Sequence, residues 1–204
     1  MTINTLFEQL KHPNPHLRER AMVEIAETRD ETTIAQLISI LDHEDVVYRR
    51  AAVKALGVIG IEAVPPLVEA LLQSENVTVR GSAAKALAQV ALNYPEEPFP
   101  LVGLQGLKTA IQDWNPVVHI AAVMALGQMG SSAFDILVEA LNTTDNVAIQ
   151  VAIVNALASL GDSRCTEILS QFANNADVDA YVRESALSSL SRLDLVMNYQ
   201  RSDA

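Results

Sequence analysis

The sequence predicts an all-α protein, a right-handed α-solenoid of about six helix pairs. Three observations carry that prediction. An apolar anchor recurs at Ile25, Leu56, Leu87, Leu126, Leu157 and Leu190, at spacings of 31, 31, 39, 31 and 33 residues. Eleven residues before each anchor stands an Asn or Asp: Asn14, Asp45, Asn76, Asn115, Asn146 and Asp179. Seven residues before each stands a long polar side chain or a histidine: Arg18, Arg49, Arg80, His119, Gln150 and Arg183. A period of this size holds two helices. A unit that small buries its apolar face only by stacking on its neighbours.

In chain order, the Asx residue of each repeat precedes the second helix. Its side-chain oxygen is placed to accept from the free N–H groups of the first turn. The long side chain four residues later is expected to bond along the turn between the two helices. The pattern is clearest in Ile61–Leu92, the third repeat. Glu62–Gln73 reads as its first helix, with Pro65 in the first turn where a missing N–H costs little. Ser74–Asn76 is the turn, and Val77–Ala91 the second helix, with Val79, Ala83, Ala86, Leu87 and Val90 at helical spacing. Gly57, Gly60, Gly127, Gly130 and Gly161 are expected at or just after the ends of second helices. The run NYPEEPFP, Asn93–Pro100, interrupts the period, because prolines at this density cannot continue a helix. It reads either as an ordinary insertion or as a binding loop. Repeats four to six follow in the same pattern. One solenoid is expected over residues 1–197, with 198–204 as a polar, frayed tail.

Half of the 204 residues are hydrophobic and only 4% aromatic, so Ala, Leu, Val and Ile fill the core. A net charge of −11 argues against a general nucleic-acid binder, which needs cations to neutralise phosphates, and leaves room for a local basic patch. The chain opens without a cationic start and apolar run, and no apolar stretch of about 18 residues offers a membrane span. A cytoplasmic protein is expected. Cys165 stands alone, and His12, His16, His43 and His119 are scattered, so neither a metal site nor a catalytic residue is expected. Cys165 reads as a packing residue of the last repeat's first helix.

The second helices can be sorted by position. Places four and three before the anchor, and the anchor itself, are apolar and assigned to the core. Places nine, six, five and two before it vary and are assigned to one exposed stripe. In repeats one to three this stripe carries charge, including Arg50, Lys54 and Lys85. In repeats four and five it reads Val117, Ile120, Ala121, Met124 and Ala148, Val151, Ala152, Asn155. An exposed apolar patch of that kind marks a binding surface; the competing reading is a bend that buries it. The expected partner-binding residues are Val117, Ile120, Met124 and Val151, joined by Tyr94 and Phe99 from the inserted loop. Arg50, Lys54 and Lys85 are expected to steer an acidic partner.

The units DVVYRRAAVKALGVIGIEAVPPLVEAL and NPVVHIAAVMALGQMG resemble the short HEAT-like repeats of cyanobacterial phycobilin lyases. The run NPHLRERAMVEIAETRDETT, with YPEEPFP, is similar to the small Z-type branch associated with phycoerythrin. The resemblance spans essentially the whole chain. It implies a chaperone-like accessory role in phycobiliprotein maturation, binding the apo-subunit, a partner bilin lyase, or both, while bilin is attached to a substrate Cys. It implies no catalysis by this chain alone, no tightly bound cofactor, and transient contact with a phycobilin such as phycoerythrobilin, whose propionates Arg50, Lys54 and Lys85 would meet. The implied partners are a phycobiliprotein subunit, phycoerythrin β foremost, and a lyase. Two alternatives stay open: a bilin lyase, acting itself or as one subunit of a heterodimer, and a generic HEAT-repeat adaptor.

Overall fold

In the computed structural model, every regular element among the described residues is a helix. The structure describes residues 2–95 and 98–202, with side chains up to residue 198. The first unit, Met1–Ala110, holds α1 (Ile3–Gln9), α2 (Pro15–Thr28), α3 (Thr33–Ile38), α4 (Val46–Ile59), α5 (Val64–Gln73), α6 (Val77–Asn93) and α7 (Leu101–Ala110). The second, Ile111–Ala204, holds α8 (Pro116–Leu126), α9 (Phe134–Thr143), α10 (Val147–Ser159), α11 (Cys165–Asn174) and α12 (Ala180–Ser202). Single 3-10 turns precede α5 and α9. The fourth helix pair is divided: α7 belongs to the first unit and α8 to the second.

Within each unit the second helices form one stacked layer, α2 on α4 on α6, and α8 on α10 on α12. Short side chains permit the stacking. A Cβ on Gly57 would lie 2.2 Å from Gln89 Cγ, and one on Gly127 would lie 3.1 Å from Ala156 Cα. Gly57 therefore sits inside α4, where α6 comes close, and not at a helix end as expected. Gly60, Gly130 and Gly161 do mark turns, with φ of 87°, 59° and 66°. Five anchors, Ile25, Leu56, Leu87, Leu126 and Leu157, are fully buried. Burial of that size is worth about 1.5–3 kcal/mol per side chain. Leu190 is only half-buried and Leu187, three before it, is 54% exposed, because among the described residues no helix pair follows α12 to cover them.

All six Asx residues accept from the second residue of the helix they start, at 2.8–3.0 Å. The long polar side chains form the second ladder. Arg18 and Arg49 each donate to a turn carbonyl six residues back at 2.6 Å, Arg80 at 3.0 Å and Gln150 at 2.9 Å; Arg183 reaches the carbonyl seven back at 3.4 Å. Helix α6 continues to Asn93, two residues past its expected end. Helix α12 continues to Ser202, into the segment expected to fray, since MNYQRS contains neither Pro nor Gly to stop it. Of the inserted loop, Glu96 and Glu97 lie outside the described residues, as do 203 and 204 of the expected tail.

Candidate functional site

The candidate site lies on the second unit, where α8 and α10 are stacked side by side. These helices span 11 and 13 residues without one Asp, Glu, Lys or Arg. Asn115 and Asn146 hold their first turns, so each stripe is fixed in direction from its cap onwards. Val117 is 58% exposed and Met124 63%, while Ile120 and Val151 are half-buried. The patch is therefore not folded away against neighbours.

One part of the expected stripe is wrong. Ala51, Ser82 and Ala121, five before their anchors, are buried. At 100° per residue, position five lies about 40° from position nine and turns towards the adjoining helix of the stack. Ala51 accordingly borders α2 residues, while Ser82 donates to the Leu41 carbonyl at 3.0 Å, in the turn ahead of α4.

The structure brings Ile120 and Met124 together in a cleft of about 260 Å³. Gly127, Ala152 and Ala156 help to line it, with Gln128, Asn155, Ser159 and Arg192 as its polar lining. Arg192 carries the only formal charge among these lining residues. Its Nη2 donates to the Asn155 carbonyl at 2.5 Å and to Asn155 Oδ1 at 3.2 Å, which holds the guanidinium at the cleft. Gln128, Ser159 and Arg192 all stand two residues after an anchor. They continue the exposed stripe by one more turn, a signal present in the repeat alignment. Val117 and Val151 share the stripe but do not line this cleft. Chemically, the site offers an apolar floor without charge and one cation able to meet a carboxylate.

The inserted loop behaves differently. Tyr94 is half-buried; its hydroxyl donates to the Val58 carbonyl at 2.5 Å, and its ring closes over Gly60. Phe99, also half-buried, covers Gly103 of α7. Both aromatics brace the first unit, which leaves only part of each ring for a partner. Arg50 and Lys54 line a cleft of about 310 Å³ together with Arg18, Glu19, Met22 and Val47. Lys54 also borders an adjoining cleft with Val23, Val58 and Gln89. Lys85 is exposed outside both. The three steering cations thus belong to the first unit, and Val117, Ile120, Met124 and Val151 to the second.

Cys165 is fully buried at the start of α11, and burial pushes its thiol up to about 12. That disfavours a thiolate nucleophile. His119 is half-buried with no hydrogen-bond partner on Nε2, and burial holds its pKa below the ordinary value. Among the described residues no three His, Cys, Asp or Glu side chains converge as a metal site. No single helix among them is long and apolar enough to cross a membrane.

Fold and site define an α-solenoid whose stacked helices α8 and α10 expose an uncharged apolar surface. Relatives place it more narrowly: the chain belongs to the HEAT-repeat family, matched over residues 3–88 and 104–191, and within it to the group containing the phycocyanin operon protein Z and CpeZ. It is 54% identical over 202 residues to the uncharacterized phycocyanin operon protein Z of Pseudanabaena tenuis, covering 99% of this chain and 100% of that one. It is 31% identical over 178 residues to the bilin biosynthesis protein CpeZ of Synechococcus sp., covering 84% and 95%. Among solved structures it is similar to the complex of CpcE and CpcF of phycocyanin lyase from Nostoc sp. PCC7120. The TM-score is 0.51 at 22% identity, over 76% of this chain and 96% of that one, a likeness of fold.

Proposed function

We propose that this protein assists bilin attachment to phycobiliproteins by holding an apolar surface of an incompletely assembled partner. The observation that carries the reading is the uncharged α8–α10 pair, with Val117 and Met124 left largely exposed on a chain of net charge −11. Such a surface is costly to leave open in water and gains by covering similar surface on another protein. On this reading, a subunit without its pigment would expose apolar side chains for the bilin to cover later. Val117, Ile120, Met124 and Val151 would meet them, with Arg192 as the local cation for an acidic group. Arg50, Lys54 and Lys85 would act on encounter and orientation more than on affinity. The names of the two relatives, one of a phycocyanin operon and one of bilin biosynthesis, support this role. They also make phycocyanin subunits the first to test, alongside phycoerythrin β. The expected setting is the cytoplasm, with bilin contacted only in passing.

The test is co-expression of phycocyanin or phycoerythrin subunits, bilin and a candidate lyase, with and without this chain. An accessory role predicts more chromophore-bearing subunit only when the lyase is present. Attachment by this chain without a second lyase would make it a lyase instead. No effect with any subunit would leave the adaptor reading.

A further inference from the structure

A second binding surface lies on the first unit, formed by first helices and independent of the α8–α10 patch. Helix α3 spans only six residues where α5 spans ten. The reason is local. Helix α3 starts in register with α5 but stops four residues sooner: Ile40 N donates to the Leu37 carbonyl at 3.2 Å and Leu41 N to the Ile38 carbonyl at 3.0 Å, so residues 39–42 form tight turns where α5 is still helical. The shortened α3 leaves α5 incompletely covered. A groove of about 730 Å³ opens between them, against about 260–310 Å³ for the clefts above. Ile34 and Ile38, one helical turn apart and both half-buried, supply its apolar floor. Glu31 and Asp42 flank that pair along the chain, and Glu69 faces them from α5. No Lys or Arg lines the groove. Asp42 accepts from Asn76 Nδ2 at 3.0 Å, whereas among the described residues neither Glu31 nor Glu69 is paired with a cation.

We propose that this groove docks a basic amphipathic helical segment of another protein. Its apolar side chains, one turn apart, would pack on Ile34 and Ile38, and its Lys or Arg residues would reach Glu31, Asp42 and Glu69. This is the helix-in-groove mode of recognition, in which a short apolar stripe gives affinity and flanking charges set direction. The acidic rim selects among occupants. A second copy of this chain would bring a further net charge of −11 towards it. An anionic membrane surface would be repelled for the same reason.

The test uses a fluorescein-labelled helical peptide of roughly 18 residues, long enough to hold a helix, with Leu on one face and Lys on its flanks. A second peptide replaces each Lys with Glu. Binding is read by anisotropy to the full chain and to three variants. E31K/E69K reverses the rim, and A35W fills the groove from an exposed position. Asp145→Lys with Glu167→Lys makes the same charge change at exposed positions of the second unit. The Lys peptide is expected to bind with micromolar affinity. E31K/E69K and A35W should each weaken it at least tenfold without changing the melting transition; the Asp145/Glu167 variant should bind as the native chain does. No binding of the Lys peptide would overturn the proposal. So would equal binding of the Glu peptide, or an equal loss in the Asp145/Glu167 variant. Self-association of the chain that A35W abolishes would assign the groove to a second copy and equally refute it.

Discussion

His119 is the one place where the turn-spanning ladder fails, and replacing it with Arg should repair it. In four other repeats a side chain at this position donates to the carbonyl six residues back, at 2.6–3.0 Å. The imidazole is too short, and its buried Nε2 has no partner. A buried polar group left unbonded costs about 1–3 kcal/mol, and a hydrogen bond from a charged donor contributes about 1.5–3 kcal/mol. Ordering an Arg side chain offsets up to about 2 kcal/mol. His119→Arg should therefore stabilise by roughly 0.5–4 kcal/mol, a rise of about 1–16 °C in melting temperature for a chain of this size. The gain should depend on pH. Burial holds the folded His119 pKa below the ordinary 6.5, with Asp113 opposing the shift. The unfolded chain therefore takes up this proton first. Native stability is unaffected by this group above 6.5 and falls as the pH drops through 6.5 towards the folded value. Arg has no such titration, so the gap between variant and native chain should widen below 6.5. Thermal and urea unfolding at about pH 7.5 and pH 5.5 measure both effects. A variant that melts no higher, or a gap that stays constant between the two pH values, would refute the ladder argument.

Asn76→Ala should cost about 0.5–2 kcal/mol through loss of the α6 cap, read as a lower urea midpoint at unchanged slope. The same substitution removes its bond to Asp42. Cys165 should resist alkylation by iodoacetamide in the native protein and react once the chain is unfolded, because it is fully buried with its thiol raised to about 12. Rapid labelling without denaturant would show that α11 opens readily.

What the sequence disclosed and what it hid divide on a physical line. The Asx caps and the long side chains four residues after them act within one turn, so periodicity located the caps at all six repeats and the turn-spanning side chains at five, His119 being the exception. The core positions, too, follow from helical geometry alone in the inner repeats. Position five before the anchor did not, because its exposure depends on how closely the next helix approaches, and Ala51, Ser82 and Ala121 are buried by that approach. Arg192 and Ser159 were missed because the stripe was followed only as far as the anchor. Tyr94 and Phe99 looked available in an irregular loop, yet a tertiary hydrogen bond and a glycine contact draw both inward. The groove beside α3 stayed invisible because the repeat pattern does not mark where α3 gives way to the tight turns of residues 39–42.

The central claim is that the exposed apolar stripe of α8 holds a phycobiliprotein partner. The most direct measurement is capture of purified apo-subunit by the native chain and by a Val117→Asp/Met124→Asp variant. Both positions are more than half exposed, so the melting transition should move little, and an Asp at the second residue of α8 suits the helix N-terminus. The account predicts a folded variant whose capture falls at least tenfold, about 1.4 kcal/mol or more. Undiminished capture by the folded variant would contradict it.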